Sequence, residues 1–401
     1  MKILPFEFQT KLKNHFKQKE KTWKWFSDKN NSETAIENFK TELLKNTYRI
    51  DVESEPELYE IVNVAKEKLG IVLPITLYQS QFVDYYNATI VLFENEAHMV
   101  ISGNLIKLLN DEEKLALFAH ELTHVYFYLI ENSDYEICNR IINSIANDID
   151  SSNIYKETAR LNQLFVELYC DLGSLYVCNN LQVVISTLVK IHTGLEKVSA
   201  ESYLKQANEI LEKNKQGSEG VTHPEIYLRA RVLQMYDNDF NIDNHQVNKL
   251  IIGKYDLYNL NIFNKDEVAI MTKKMIDIVL KNKWTQSDYS MVLYKQYFGE
   301  FNVDDNSIID KEMLVFIENC KESLKNYFAY VLLDFALSDI ELLDPFLGLI
   351  FDVGEQLEIK DELEEVVKKE LKISNKKLKE DSLKWMKAMN EIMVSDKENS
   401  F

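Results

Sequence analysis

Ala119-His120-Glu121-Leu122-Thr123-His124-Val125 sets two histidines either side of a short spacer, with a glutamate directly after the first. An α-helix turns about 100° per residue, so positions i and i+4 share a face. On a helix, His120 and His124 therefore aim their imidazoles at one point, where a single metal ion can take both. Glu121 stands next to the first ligand, where a carboxylate can take a proton from a metal-activated water. Two imidazoles suit zinc, and a catalytic zinc needs a third protein ligand and an open position. The flanking residues support the helix. Asn110-Asp111-Glu112-Glu113 reads as its start, with Asn110 as N-cap and Glu113 closing a capping box. Acidic residues in that first turn suit the positive end of the helix dipole. Leu115, Leu117, Phe118, Leu122, Val125 and Tyr126 then form a broad apolar face. A glutamate between two histidines in a largely buried helix needs a partner, and a metal with its water supplies one.

The third ligand is sought on a later helix. Tyr155 to about Val177 reads as helical and contains Glu167-Leu168-Tyr169-Cys170-Asp171. Glu167 and Asp171 share a face, among Leu164, Phe165, Leu168 and Leu172. An acidic pair at this spacing is ordinarily a solvated face, but these neighbours are apolar. Glu167 is read as the third zinc ligand. Asp171 is read as accepting a hydrogen bond from a ligating imidazole, which fixes its orientation.

Composition bounds the partners. The 401 residues allow two or three domains, with 46% hydrophobic and 28% charged residues as in ordinary globular chains. A net charge of −19 argues against nucleic acid, whose affinity comes from Lys and Arg on phosphate. Five Pro and ten Gly favour long helices over a turn-rich β fold. Cys138, Cys170, Cys178 and Cys320 form no CxxC pair and suggest reduced thiols. Residues 1 to 26 carry no apolar run like a signal peptide, and no stretch reads as a spanning helix. The expectation is a cytoplasmic chain without a transmembrane segment.

Three domains are expected. Residues 1 to 70 form a helical segment packed on the catalytic domain. Its first 30 residues are basic and aromatic (Lys11, Lys13, Lys17, Lys19, Lys21 and Lys24 with Phe16, Trp23, Trp25 and Phe26) and read as a solvated helix docking its aromatics on the body, the alternative being an interfacial membrane helix. Residues 33 to 70 read as helix ending near Gly70. The catalytic domain spans 71 to 240. It opens with strands over 71 to 78, 89 to 93 and 98 to 102, with Pro74 suggesting an edge or bulge and Glu94 to Ala97 a hairpin turn. Helices follow over 103 to 130, 134 to 150 and roughly 195 to 214, and Thr222-His223-Pro224 leads into another. Residues 245 to 401 read as an acidic, all-helical C-terminal domain with a charge-rich tail from Lys360.

In this order the motifs resemble those of the gluzincin peptidases that include HtpX, BepA and the CAAX prenyl endopeptidases. The resemblance runs over roughly residues 70 to 235. It is carried by Asn87-Ala88, Val100-Ile101-Ser102-Gly103-Asn104-Leu105, Asp111-Glu112-Glu113-Lys114-Leu115, His120 to His124, Glu167 to Asp171, and Thr222-His223-Pro224 with Arg229 behind it. It implies one catalytic Zn2+ held by His120, His124 and Glu167, Glu121 as general base, and Asp171 orienting a ligand. It also implies that the strand from Asn87, with Ala88 and Thr89, lines the cleft and pairs with substrate backbone, and that His223 stabilises the oxyanion or gates the site. Two departures stand out. The family's best-known members have membrane helices and this chain reads as having none. Cys170 stands where a small residue such as Ala is common, a change expected to be tolerated, although it sets a thiol close to the zinc where oxidation is a risk. Residues 327 to 339 and 349 to 359 resemble the helical TerB-type tellurite-resistance domain, with Asp339, Glu341 and Asp344 between helices, although Ile340 replaces the usual glycine.

The expectation is a mostly helical α+β protein: a zincin-like domain with a small sheet, and an all-α C-terminal domain that offers a protein partner a surface. Its function is expected to be zinc-dependent endopeptidase action on a protein or peptide. The alternative is a silent or latent zincin-fold scaffold whose helical domain recruits a partner. It leaves Glu121 without a task.

Overall fold

In a computed structural model the helix that carries the motif begins as its sequence implies. The structure describes residues 4–28, 33–82, 85–93, 95–213, 216–237 and 244–398. Asn110 Oδ1 accepts a hydrogen bond from Glu113 N at 2.9 Å, and Glu113 Oε2 accepts one from Asn110 N at 3.0 Å. Two of the orphan amides of the first turn are thereby satisfied.

The chain forms two units, Met1–Gly253 and Lys254–Phe401. The first holds α1 (Glu7–Lys17), α2 (Glu20–Ser27), α3 (Glu33–Asn46), β1 (Thr47–Arg49), α4 (Pro56–Leu69), β2 (Ile75–Ser80), β3 (Asn87–Leu92) and β4 (Ala97–Ser102). It continues through α5 (Leu105–Leu108), α6 (Asp111–Ala146), α7 (Asn153–Cys178), α8 (Leu181–Thr193), α9 (Ala200–Lys213), α10 (Ile226–Tyr236) and α11 (Asn244–Ile251). The sheet order is β1-β2-β4-β3. β1 and β3 run antiparallel to their neighbours, and β2 and β4 are parallel. This is a mostly helical α+β fold with one small mixed sheet.

Several elements differ from the sequence expectation. Residues 33 to 70 are two helices, not one. Thr47–Arg49 pairs with β2 between them, and Pro56 restarts the chain at the first turn of α4, where a missing amide costs nothing. Pro74 lies just before β2, its carbonyl accepting from Ala97 N at 3.0 Å, so β2 sits inside the sheet instead of at its edge. The true edge beside the motif helix is β3. The β3–β4 turn closes where Phe93 N donates to Glu96 O at 2.8 Å, although Glu94 of the expected turn lies outside the described residues. Helix α8 was not anticipated. α9 starts at Ala200, and Asn214 at its expected end lies outside the described residues. Helix α11 belongs to the first unit: Val247 and Ile251 are buried, and Ser218 N donates to Ile251 O.

Helix α6 breaks after the motif. Glu131, Asn132 and Ser133 all adopt left-handed φ, at 50°, 57° and 63°, a conformation non-glycine residues rarely string together. Lys13 and Lys17 of α1 bond to Glu131 and Asp134 there, and the Lys13 amine also reaches Tyr135. The docking of α1 is apolar as well, with Phe6 and Phe8 against Phe165 at ring centroids of 5.4 and 5.1 Å. Trp25 on α2 is 57% exposed, so not all of the N-terminal aromatics are covered.

The second unit contains α12 (Ile262–Leu280), α13 (Asp288–Phe298), α14 (Lys311–Glu318), α15 (Glu322–Leu337), α16 (Leu343–Gln356), α17 (Lys360–Leu371) and α18 (Asn375–Glu398). Phe328, Phe335, Phe346 and Trp385 are among its core residues. Asp339 caps the short turn over Ile340–Leu342 by accepting from Glu341 N at 3.0 Å, and Asp344 pairs with Lys384 at 2.6 Å. No helix among the described residues is long and apolar enough to cross a membrane.

The closest packing under the motif is between α6 and α7. A Cβ on Gly173 would fall 2.0 Å from Thr123 Oγ1 and 2.6 Å from Thr123 Cβ. Thr123 is fully buried and its hydroxyl already donates to Ala119 O. Gly173→Ala is expected to destabilise the first unit by about 1–3 kcal/mol, as overpacking does. Urea denaturation checks this, and an unchanged midpoint would refute the tight contact.

Candidate metal centre and cleft

Helix α6 forms the floor of a cleft of about 660 Å³. His120, Glu121, His124 and Tyr128 face it from α6, and Gln163, Glu167 and Asp171 from α7. Asn87, Ala88 and Thr89 of β3 form one side. Thr222 and His223 come from the loop before α10, and Arg229 from α10 itself. Each of the nine candidate residues of the sequence analysis thus borders one space.

Three imidazoles converge on one carboxylate. His120 Nε2 lies 3.3 Å from Glu167 Oε2, His124 Nε2 3.7 Å from Oε1, and His223 Nε2 3.3 Å from Oε2. Glu167 is almost completely buried, and its Oε2 has no well-formed hydrogen bond. Its Oε1 accepts from Gln163 Nε2 at 3.1 Å. A buried carboxylate oxygen facing ring nitrogens without bonding to them is what a cation between them would satisfy. Two imidazoles and a carboxylate in an open cleft are also the donor set of a catalytic zinc. The residues fit the metal that the motif implies.

Asp171 holds His120. Its Oδ1 lies 3.0 Å from His120 Nδ1. An ionised carboxylate only accepts, so Nδ1 carries the proton and Nε2 is the atom turned to Glu167. Arg229 in turn holds Asp171, donating from Nε to Oδ2 at 2.7 Å and from Nη2 to Oδ1 at 2.6 Å. All three side chains are buried or nearly so.

Burial and charge shift the histidines and carboxylates of the site. Burial opposes the charged form of His120, but its bond to Asp171 and the nearby Glu167 carboxylate prevail and raise its pKa to about 10. Burial raises Glu121 to about 8, Glu167 adding to the rise and His120 and Arg229 opposing it. Burial lowers His124 to about 4, with His120 and His223 adding their repulsion against the pull of Glu167. Burial lowers His223 as well. Asp171 stays ionised because Arg229 and His120 outweigh its burial.

Cys170 needs a separate decision. Among the described residues, the cluster whose donor atoms all fall within 4.8 Å of one another is His120, His124 and Cys170, without Glu167. The thiol is fully buried, however, and burial holds it well above the usual thiol pKa, next to the charge of Glu167. It is not among the residues lining the cleft, and Glu167 is. Glu167 is therefore the better third donor, and Cys170 is a closed-off core thiol, contrary to the expected sensitivity to oxidation.

The role of Arg229 was not legible beforehand. Its signal was a guanidinium among Leu228, Ala230, Val232 and Leu233, shared with Arg231 and without a partner assigned. Tyr128, Gln163 and the α8 wall were also missed, since they come together only in the folded unit.

The raised pKa of His120 means that a proton competes with any cation for Nε2. Metal uptake must release it, so affinity falls as pH falls. The apparent zinc affinity is expected to rise by at least about tenfold per pH unit between about pH 6 and 8. Glu121→Gln should flatten the slope if Glu121 also ionises beside the metal. Competition titration with a chelating dye measures both. No protein-family model, no curated protein and no solved structure matches the chain.

Proposed function

We propose that the first unit is a zincin-like zinc-dependent endopeptidase of the gluzincin type, acting on extended protein or peptide segments. The observation that carries this reading is the convergence of His120, His124 and His223 on the buried Glu167 carboxylate, His120 and His223 facing its unbonded Oε2 and His124 its Oε1, with Glu121 at the same cleft.

His120, His124 and Glu167 would hold the ion. Zinc supplies a more acidic bound water and a polarised carbonyl when it is present. The remaining work belongs to the chain. Asp171 and Arg229 keep Nε2 of His120 turned to the cleft. Glu121 takes a proton from the attacking water and returns it to the leaving amine. Its buried position supports that role, because a carboxyl tuned towards neutral pH can both accept and release a proton. His223, half-exposed and bonded through Nδ1 to Thr222 Oγ1 at 2.9 Å, presents Nε2 to the cleft and can donate to a developing oxyanion. Strand β3 is an edge of the sheet and borders the same cleft, so a substrate in extended form can pair with it. A net charge of −19 fits this substrate class better than nucleic acid.

Glu121→Gln is expected to retain zinc and lose about a hundred- to ten-thousandfold in hydrolysis of unfolded casein, the range that a general base supplies. Full activity in that variant would sink the assignment. Glu167→Ala should lose most of its bound metal by elemental analysis, and unchanged stoichiometry would place the third ligand elsewhere.

A further inference from the structure

Tyr86 immediately precedes β3 and lines the cleft. Its ring is wedged between two glycines from different elements. A Cβ on Gly103, after β4, would meet Tyr86 Cδ1 at 2.7 Å, and one on Gly194, the C-cap of α8, would meet Cε2 at 3.1 Å. Both glycines adopt a left-handed φ of 69°. Each therefore provides a turn that other residues resist and leaves space for the ring. The ring spans the gap between the sheet and the end of α8.

Beside Tyr86 the cleft wall is largely aliphatic. Ala116 and Leu117, one turn before His120 on α6, line it together with Val184, Leu188 and Ile191 of α8. The polar residues of α8 on that wall are already engaged by their own helix. Thr187 Oγ1 donates to Val183 O at 2.8 Å, and His192 Nδ1 to Leu188 O at 2.9 Å. This end of the cleft begins about 5 Å, one helical turn, from the first histidine. A charged or amide side chain set against these aliphatic residues would lose water to carbon neighbours.

We propose that Tyr86 caps an aliphatic side pocket, so that the protein cuts next to a branched or linear aliphatic side chain and excludes the larger aromatic ones. This rests on the endopeptidase reading. Tyr86 is a specificity-determining residue here, not a catalytic one. Removing its ring lengthens the pocket towards Gly194 and Gly103.

The zinc-loaded full chain is given a peptide library, and its cleavage sites are identified by mass spectrometry. Wild type is expected to cut beside Leu, Ile or Val. Tyr86→Ala should raise cleavage beside Phe and Trp relative to Leu by at least about tenfold, the scale of one pocket contact. Tyr86→Phe should keep the wild-type profile. Ile191→Phe, a filling substitution, should shift preference to Ala. Profiles that stay alike in Tyr86→Ala and Ile191→Phe overturn the proposal. If wild type cuts no peptide, the endopeptidase reading fails, and the pocket is judged alone. Leu- and Phe-containing peptides are then bound to zinc-loaded Glu121→Gln, with and without Tyr86→Ala, by fluorescence anisotropy. A preference for Leu that Tyr86→Ala relaxes supports the pocket. Equal affinities, or no binding, overturn it.

Discussion

Arg229 meets Asp171 through two charge-assisted hydrogen bonds in a place that water barely reaches, and Asp171 passes that constraint to His120. A buried ion pair of this kind is poor evidence for stability, because desolvation offsets much of the attraction. Its value here is directional. The fork of a guanidinium fits a carboxylate in one plane, so Asp171 has little freedom, and the His120 ring takes its orientation from Asp171. The neighbouring groups then follow. Glu167 lies one turn before Asp171 on α7, so the helix that orients the first imidazole also presents the Glu167 carboxylate to the cleft. Loss of Arg229 would leave Asp171 charged and unpaired in the core, with consequences for both.

The relation between α6 and α7 depends on equally local chemistry. Gly173 lets the two backbones approach at Thr123, inside the His120–His124 turn, and Ser174 Oγ reaches Ala116 O at 2.8 Å. Beyond the motif the helix cannot simply run on, because residues 131 to 133 reverse their backbone hand. The second half of α6 is instead tied back to the site. Asn139 donates to Tyr128 Oη at 3.2 Å and accepts from Asn162 Nδ2 at 3.1 Å. Strained backbone of this sort persists where its surroundings over-determine it, and α1 supplies part of that surrounding through Lys13 and Lys17.

How much of this was legible depended on the range of the interaction. His120, Glu121 and His124 follow from the period of one helix, and Glu167 with Asp171 from the period of another. The capping box at Asn110 and Glu113 is equally local. The capture of Asp171 by Arg229 joins distant parts of the chain, and no periodicity reports it. Helix α8 was hidden by its own composition: Val183, Val184, Ile185 and Thr187 are β-branched, which lowers helix propensity. It is held by tertiary contacts, including the buried pair of Lys190 with Glu113 at 2.9 Å. Strand β1 is too short for a pattern to emerge from a helical background. The boundary between the units was placed early because α11 looks like the start of the helical region, whereas its buried face belongs to the first unit.

The charges of the cleft give the arrangement a further logic. Without a metal, Asp171 balances Arg229, and Glu167 balances a protonated His120, whose pKa stands at about 10. Glu121, raised to about 8, is mostly neutral at pH 7. His124 and His223 have lowered pKa values and offer uncharged ring nitrogens. The site is then close to neutral overall, which a buried cluster requires. If His120 and Glu121 each give up a proton when a dication is taken up, the total charge is unchanged. That exchange leaves Glu121 as a carboxylate, the form a general base needs, only when the metal is present. In the proposed peptidase, a buried glutamate whose ionisation followed the metal would serve as the base, whereas a module that merely binds peptides has no use for one.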